Sequence, residues 1–135
     1  MIALVSIYVG AALTLLTAIS HTQFYKIFQW KKEFDNVSQT NVRILYTIHM
    51  ALLLLFFVLG TLSLVYAKEL SAAIGLSGGL NILFSMFWLW RFIWQLVYFK
   101  RARGKKIPPI GLFFLTVFLL SFIAYLIPVL IRIMN

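Results

Sequence analysis

The sequence contains no cysteine and only three acidic residues among its 135 positions. The absence of cysteine excludes disulfides, thiolate metal sites and cysteine nucleophiles. With so few carboxylates there is no acid pair for general acid–base catalysis, and neither a Ser–His–acid set nor a glycine-rich phosphate loop is present. No catalytic constellation is therefore evident, although the sequence leaves enzymatic activity open.

Charge is also scarce, at 11% of residues, whereas 63% of the residues are hydrophobic. A soluble domain carries about 25% charged residues, and a chain with this mean hydropathy of +0.99 cannot cover its apolar surface in water. The long apolar runs predict four transmembrane helices, at about residues 2–25, 42–67, 70–99 and 107–133. Each run reaches the roughly 20 residues that a crossing helix needs, and none shows the alternation of barrel strands. The predicted fold is an all-α, single-domain integral membrane four-helix bundle.

Basic residues indicate how this bundle is oriented. The first connection holds four of them and the third holds five, in the run "KRARGKK", whereas the second holds only Lys68 and the C-terminal end only Arg132. The positive-inside rule then places both basic connections in the cytoplasm and both termini on the non-cytoplasmic side. We expect a multi-pass protein of the plasma membrane, of the bacterial inner-membrane type. Its expected partners are the lipid bilayer and anionic lipid head groups rather than nucleic acid.

Each predicted span carries one stripe of small or polar residues at helical spacing. Small residues let helices approach closely in lipid, and hydroxyl groups bond across them, so the four stripes predict the inner seam of the bundle. The stripes are Ser6, Gly10, Thr14, Thr17 and His21 in the first span; Tyr46, His49, Gly60, Ser63 and Ala67 in the second; Asn81, Ser85, Trp88 and Gln95 in the third; and Ser121, Tyr125, Pro128 and Arg132 in the fourth.

A second small-residue pattern lies in the third span, where Ser71, Gly75 and Gly79 are spaced four apart on a different face. This small-xxx-small pattern is typical of close helix packing in membranes. Packing inside the bundle is the favoured interpretation, and a homodimer contact is the alternative.

Arg91 lies within the very apolar run "FWLWRFIWQ" of the third span. A charged side chain inside a span costs at least about 2.5 kcal/mol, so it usually faces a cavity or a partner. In one interpretation, its long stem carries the guanidinium to the cytoplasmic head groups. In the other, Arg91 is the centre of a polar site near that surface.

The two histidines favour the second interpretation, because both fall at a similar shallow depth near the cytoplasmic ends of their spans. His21 lies five residues before Lys26, and His49 lies six residues after Arg43. Arg91 would hold an anionic group, the histidines would hydrogen-bond it or transfer protons, and Trp88 would stack on it. The predicted ligand-binding residues are His21, Tyr46, His49, Trp88, Arg91 and Gln95.

Three functions are compatible with these residues. The first is a binding or transport-related module with a cytoplasm-facing site for an anionic or amphipathic small molecule; the lack of an acid within the spans disfavours proton-coupled transport. The second is a structural or accessory subunit of a larger membrane complex. The third is a haem b protein with His21 and His49 as axial ligands and with Arg43 or Arg91 paired with the propionates. We otherwise expect no cofactor and no metal, because two histidines without a third ligand make a poor zinc site.

Overall fold

The computed structural model describes residues 1–103 and 108–134, except for the side chains of residues 99–103. This part of the chain is 90% helical and contains no strand. Its helices are α1 (Ile2–Ile27), α2 (Trp30–Glu33), α3 (Gln39–Val65), α4 (Ala67–Ala72), α5 (Leu76–Arg103) and α6 (Pro109–Met134).

Four of these helices, α1, α3, α5 and α6, are long and apolar enough to cross a membrane, with mean hydropathies between 1.3 and 2.6. The predicted all-α chain with four candidate membrane-spanning helices is therefore confirmed, and it is consistent with a multi-pass integral membrane protein. The predicted start of the fourth span at Ile107, and the side chains of the run "KRARGKK", lie outside the described residues.

The third long helix begins at Leu76, rather than at Leu70 as the hydropathy pattern predicted. The short helix α4 ends at Ala72, and the backbone then turns through positive φ at Ala73 (51°) and Gly75 (55°). A left-handed residue of this kind ends a helix. The Asn81 amide nitrogen donates a 2.7 Å hydrogen bond to the Leu70 carbonyl. This bond gives a partner to one of the backbone carbonyl groups that have none within the helix at the C-terminal end of α4.

This interruption separates the members of the second small-residue pattern. Ser71 lies on α4, Gly75 lies in the turn and Gly79 lies on α5. A Cβ added at Gly79 would meet nothing within 4 Å. The prediction that these residues form one small face of a continuous helix is therefore wrong.

The long helices form a bundle in which α1 packs against both α3 and α6, and α5 packs against α6. No described residues of α3 and α5 have Cα atoms within 8 Å of each other. These two helices instead meet through large side chains, since Phe56 of α3 stacks on Trp88 of α5 with ring centroids 5.6 Å apart. The "basic end" of the bundle is defined here as the end where α1 and α5 finish and α3 and α6 begin.

Most of the predicted seam is buried in this bundle. The first and third stripes are buried in full; in the others, Tyr46 and His49 are half-buried and Arg132 is exposed. The glycines allow the closest approaches: a Cβ at Gly60 would lie 2.7 Å from the Leu15 side chain, and one at Gly10 would lie 3.0 Å from the Tyr125 ring. The small residues of α1 and α3 thus set the distances between the helices, as expected in lipid.

Candidate functional site

The two histidines lie side by side at the basic end. His21 on α1 is buried, and its ring stacks on the half-buried ring of His49 from α3, with centroids 5.5 Å apart and planes 19° from parallel. His21 Nδ1 lies 2.9 Å from the Thr17 carbonyl oxygen, and His49 Nε2 lies 2.9 Å from the carbonyl oxygen of His21. Because a carbonyl only accepts, both of these nitrogens donate, and His21 Nε2 and His49 Nδ1 are the unprotonated nitrogens of the neutral rings.

This arrangement does not fit a bis-histidine haem. Two axial ligands must direct their nitrogens at one iron from opposite sides of a flat macrocycle. Here the ring centroids are only 5.5 Å apart and His49 Nε2 is bonded directly to the backbone carbonyl of His21, which leaves no room for a macrocycle between the two rings. Within residues 1–103 and 108–134, no group of three or more histidine or acidic side chains is arranged to hold a metal ion either.

Arg91 turns its guanidinium towards the interior of the bundle. Its Cζ atom lies 5.1 Å from the ring centroid of Phe118, which is buried on α6, and 5.7 Å from that of Trp90. The Nε atom is buried and has no hydrogen-bond partner among the described residues. All three acids of the chain lie outside the long helices: Glu33 in α2, Asp35 just after it, and Glu69 in α4.

A cavity of about 380 Å³ lies between α1, α5 and α6 at the basic end. We call it the α1–α5–α6 cavity. Its polar lining residues are His21, Arg91 and Gln95. Gln95 is only 7% exposed. The other lining residues are apolar or aromatic: Phe24, Ile27, Phe28, Trp94, Tyr98, Pro108, Ile110, Gly111, Phe114 and Phe118. Ligand cavities in proteins commonly measure about 300–1,000 Å³ and combine such apolar walls with a few polar groups.

A second cavity, of about 400 Å³, lies on the other side of His21. It is lined by both histidines and by apolar residues of α1 and α3, together with Trp30 and Phe34. The Trp30 ring approaches His49 edge-on, with centroids 4.7 Å apart. His21 and Phe24 therefore form a wall shared by the two cavities, whereas His49 lines only the second.

The remaining two predicted site residues lie elsewhere. Trp88 is 2% exposed and stacks on Phe56 and Phe118, so its ring belongs to the core and does not line the α1–α5–α6 cavity. Tyr46 lines a third cavity, which includes Lys31 and Asp35, and its ring contacts that of Trp30. The structure thus brings His21, Arg91 and Gln95 together, places His49 behind His21, and leaves Trp88 and Tyr46 outside this cavity.

Comparisons with protein-family models, with curated proteins and with solved structures find no match for this chain. Any proposal about its function therefore depends on the geometry of the cavities. In that geometry, the α1–α5–α6 cavity is notable because it combines an arginine with two further polar side chains inside a bundle of helices that could span a membrane.

The sequence interpretation missed the phenylalanines in the wall of this cavity. Phe114 and Phe118 are four residues apart on the buried face of α6, and Phe24 lies three residues after His21 on α1. Their helical spacing was a usable signal, because it places Phe24 beside His21 and puts both α6 rings on one face. Trp88 was predicted because it shares a face of α5 with Gln95, but packing against Phe56 and Phe118 covers its ring.

Proposed function

We propose that the protein is a membrane-embedded binding module that holds an anionic or amphipathic small molecule in the α1–α5–α6 cavity. The observation that carries this proposal is the environment of Arg91. Arginine keeps its charge in proteins, the four long helices contain no acid, and Arg91 Nε is buried without a partner among the described residues. A bound anion would supply the missing counter-charge.

The direction of the Arg91 side chain supports a binding site inside the bundle rather than a side chain that extends to the lipid head groups. A guanidinium that extended to the membrane surface would leave the buried ring of Phe118, yet Cζ lies 5.1 Å from that ring's centroid. Cation–π contacts at this distance hold the group in place. Its planar donors would then face a ligand in a fixed orientation, which favours bidentate binding of a carboxylate or phosphate.

Two neutral side chains complete the polar part of the proposed site. The Gln95 amide offers two N–H donors and one acceptor, and His21 offers its Nε2 atom. Both residues line the same cavity as Arg91. We further propose that the site faces the cytoplasm, because the basic end carries Lys26, Lys31, Lys32 and Arg43 and the positive-inside rule assigns such ends to that side.

Iodide offers a direct test, because it is an anion and also quenches tryptophan fluorescence. Trp94 lines the cavity, so the variant W30F/W90F would leave it as the partly exposed reporter beside the buried Trp88. We expect iodide to quench this variant in detergent in a saturable manner. The additional substitution Arg91→Leu should shift the quenching to much higher iodide concentrations.

Two controls separate anion binding from simple access to the tryptophan. Acrylamide, a neutral quencher, should give the same concentration dependence with and without Arg91. Arg43→Leu removes a positive charge at the same end of the bundle from a residue that does not line the cavity, and it should leave the saturable phase intact. Iodide quenching whose concentration dependence is the same with and without Arg91 would overturn the proposal.

One observation favours the accessory-subunit alternative. In the most apolar stretch of α3 only 17% of residues are buried, against 44% in α6, so α3 offers the larger free surface. If a partner subunit covers it, native electrophoresis of the mildly solubilised membrane should show a complex larger than one chain. The double substitution L54A/F57A, at two exposed α3 positions, should dissociate that complex. A single-chain mass before substitution would rule this function out.

A further inference from the structure

We infer that the ligand of the α1–α5–α6 cavity is a small aromatic carboxylate, which enters from the basic end with its carboxylate first. This inference rests on the proposed function and specifies its ligand class. It comes from the order in which polar and aromatic side chains line the cavity along the axis of the bundle.

The charged part of the cavity lies deep, and the aromatic part lies at its mouth. On α5 the lining residues run from Arg91 through Gln95 to Tyr98, and on the other side they run from His21 of α1 to Phe28 just after that helix, both towards the basic end. Each of these runs spans seven steps along the chain, which is about 10 Å at the helical rise of 1.5 Å per residue. A ligand that reaches Arg91 must therefore pass about 10 Å of mainly aromatic wall.

The wall itself is made of rings that pack on one another. Phe24 and Phe114 meet edge to face with centroids 5.4 Å apart, and Trp94 and Tyr98 stack at 5.6 Å. Aromatic rings in proteins prefer these edge-to-face and offset contacts, and a further ring between them gains the same interactions. The mouth of the cavity is therefore better suited to a planar apolar group of a ligand than to water.

This polarity is the reverse of that of a membrane phospholipid. A phospholipid keeps its anionic head at the membrane surface and its acyl chains at depth, whereas this cavity has its cation at depth and its apolar wall nearer the surface. An inorganic anion would reach Arg91 but would make no contact with the aromatic wall. The volume of about 380 Å³ lies at the lower end of the range for ligand cavities, so the ligand must be small.

A carboxylate also matches the polar groups at the bottom. Its two oxygens can accept two parallel N–H bonds from the fork of Arg91, and a further N–H from Gln95 can reach a remaining lone pair. His21 Nε2 would meet the ligand as an acceptor in its neutral form and as a donor when protonated. Benzoate, with one ring and one carboxylate, is the simplest probe with these features.

Calorimetric titration of the purified full chain in detergent, with benzoate, acetate and inorganic phosphate, tests the inference. We expect benzoate to bind at least about tenfold more tightly than acetate, because burial of one phenyl ring contributes that much or more. Arg91→Leu should abolish binding of both carboxylates. Trp94→Leu at the mouth should lower the affinity for benzoate several-fold and leave that for acetate unchanged, whereas Trp30→Leu, in the other cavity, should change neither.

The outcomes separate this inference from the function on which it rests. If acetate or phosphate binds as tightly as benzoate and binding still needs Arg91, the aromatic ligand class is wrong and the anion site stands. The same holds if phosphatidylglycerol in nanodiscs displaces benzoate, since the site would then accept a lipid. If none of the probes binds and iodide shows no saturable quenching, the inference and the proposed function both fail.

Discussion

His49 donates a hydrogen bond from Nε2 to the backbone carbonyl of His21, across 2.9 Å between α3 and α1. The acceptor is a carbonyl inside a helix, so it accepts this bond in addition to any within its own helix. This hydrogen bond and the ring stacking hold α3 against His21, which lines both cavities at the basic end.

We predict that His49→Leu, which puts an apolar side chain of similar size in place of the ring and cannot donate a hydrogen bond, lowers the free energy of unfolding by about 0.5–1.5 kcal/mol. That is the usual net value of a hydrogen bond, and interhelical bonds in membranes average about 0.6 kcal/mol. Reversible unfolding in mixed micelles measures the change. Ile48→Leu, at an exposed neighbouring position, is the control and should have no effect; equal stability of the two variants would contradict the prediction.

Gly60 and Gly79 form a matched pair for testing helix approach. A Cβ at Gly60 would lie 2.7 Å from Leu15 side-chain atoms and 3.2 Å from the Leu15 backbone nitrogen, whereas one at Gly79 would touch nothing. Overpacking of this kind costs about 1–3 kcal/mol, so Gly60→Ala should destabilise the protein by that amount. Gly79→Ala, within α5, should stabilise it by about 0.5–1 kcal/mol through the helix preference of alanine. The same unfolding assay would refute the prediction if both variants shifted in the same direction.

Tyr125 and Ser63 are predicted to be energetically coupled inside the bundle. The Tyr125 hydroxyl donates to Ser63 Oγ at 2.8 Å and lies 3.3 Å from Thr14 Oγ1. We expect Tyr125→Phe and Ser63→Ala each to cost about 0.5–1.5 kcal/mol. A double-mutant cycle measures their coupling, and the double variant should cost less than the sum of the two. Additive costs would show that the bond contributes nothing to stability.

The sidedness of the chain can be measured with single cysteines, because the sequence contains none of its own. Asn36→Cys lies between α2 and α3 at the basic end, and Ser71→Cys lies on α4 at the opposite end. If the basic end is cytoplasmic, a membrane-impermeant maleimide applied to intact cells should label the cysteine at 71 and leave the one at 36 unlabelled. The reverse pattern would invert the proposed orientation and place the α1–α5–α6 cavity outside.

Hydropathy and length predicted the four long helices because a helix in lipid must satisfy its own backbone hydrogen bonds. That requirement is met within each segment, so the helices can be predicted without knowing which segments lie next to them in the fold. The same is true of most of the seam, since small and polar residues at helical spacing define a face of one helix. The break in the helix at Ala73 was not predicted, because the residues on both sides of it are hydrophobic and continue the pattern of a membrane span. The hydrogen bond to the Leu70 carbonyl comes from Asn81, which lies on the next helix.

The sequence by itself also determined that Arg91 has no acid within the long helices to pair with, because this depends only on which residues are present. Only the tertiary structure decided which side chains share a cavity with it. Periodicity places Trp88 and Gln95 on one face of α5, but packing against Phe56 and Phe118 covers Trp88, while Gln95 lines the cavity with Arg91. A face predicted from one helix does not specify which other helix packs against it. That depends on the order of the helices around the bundle.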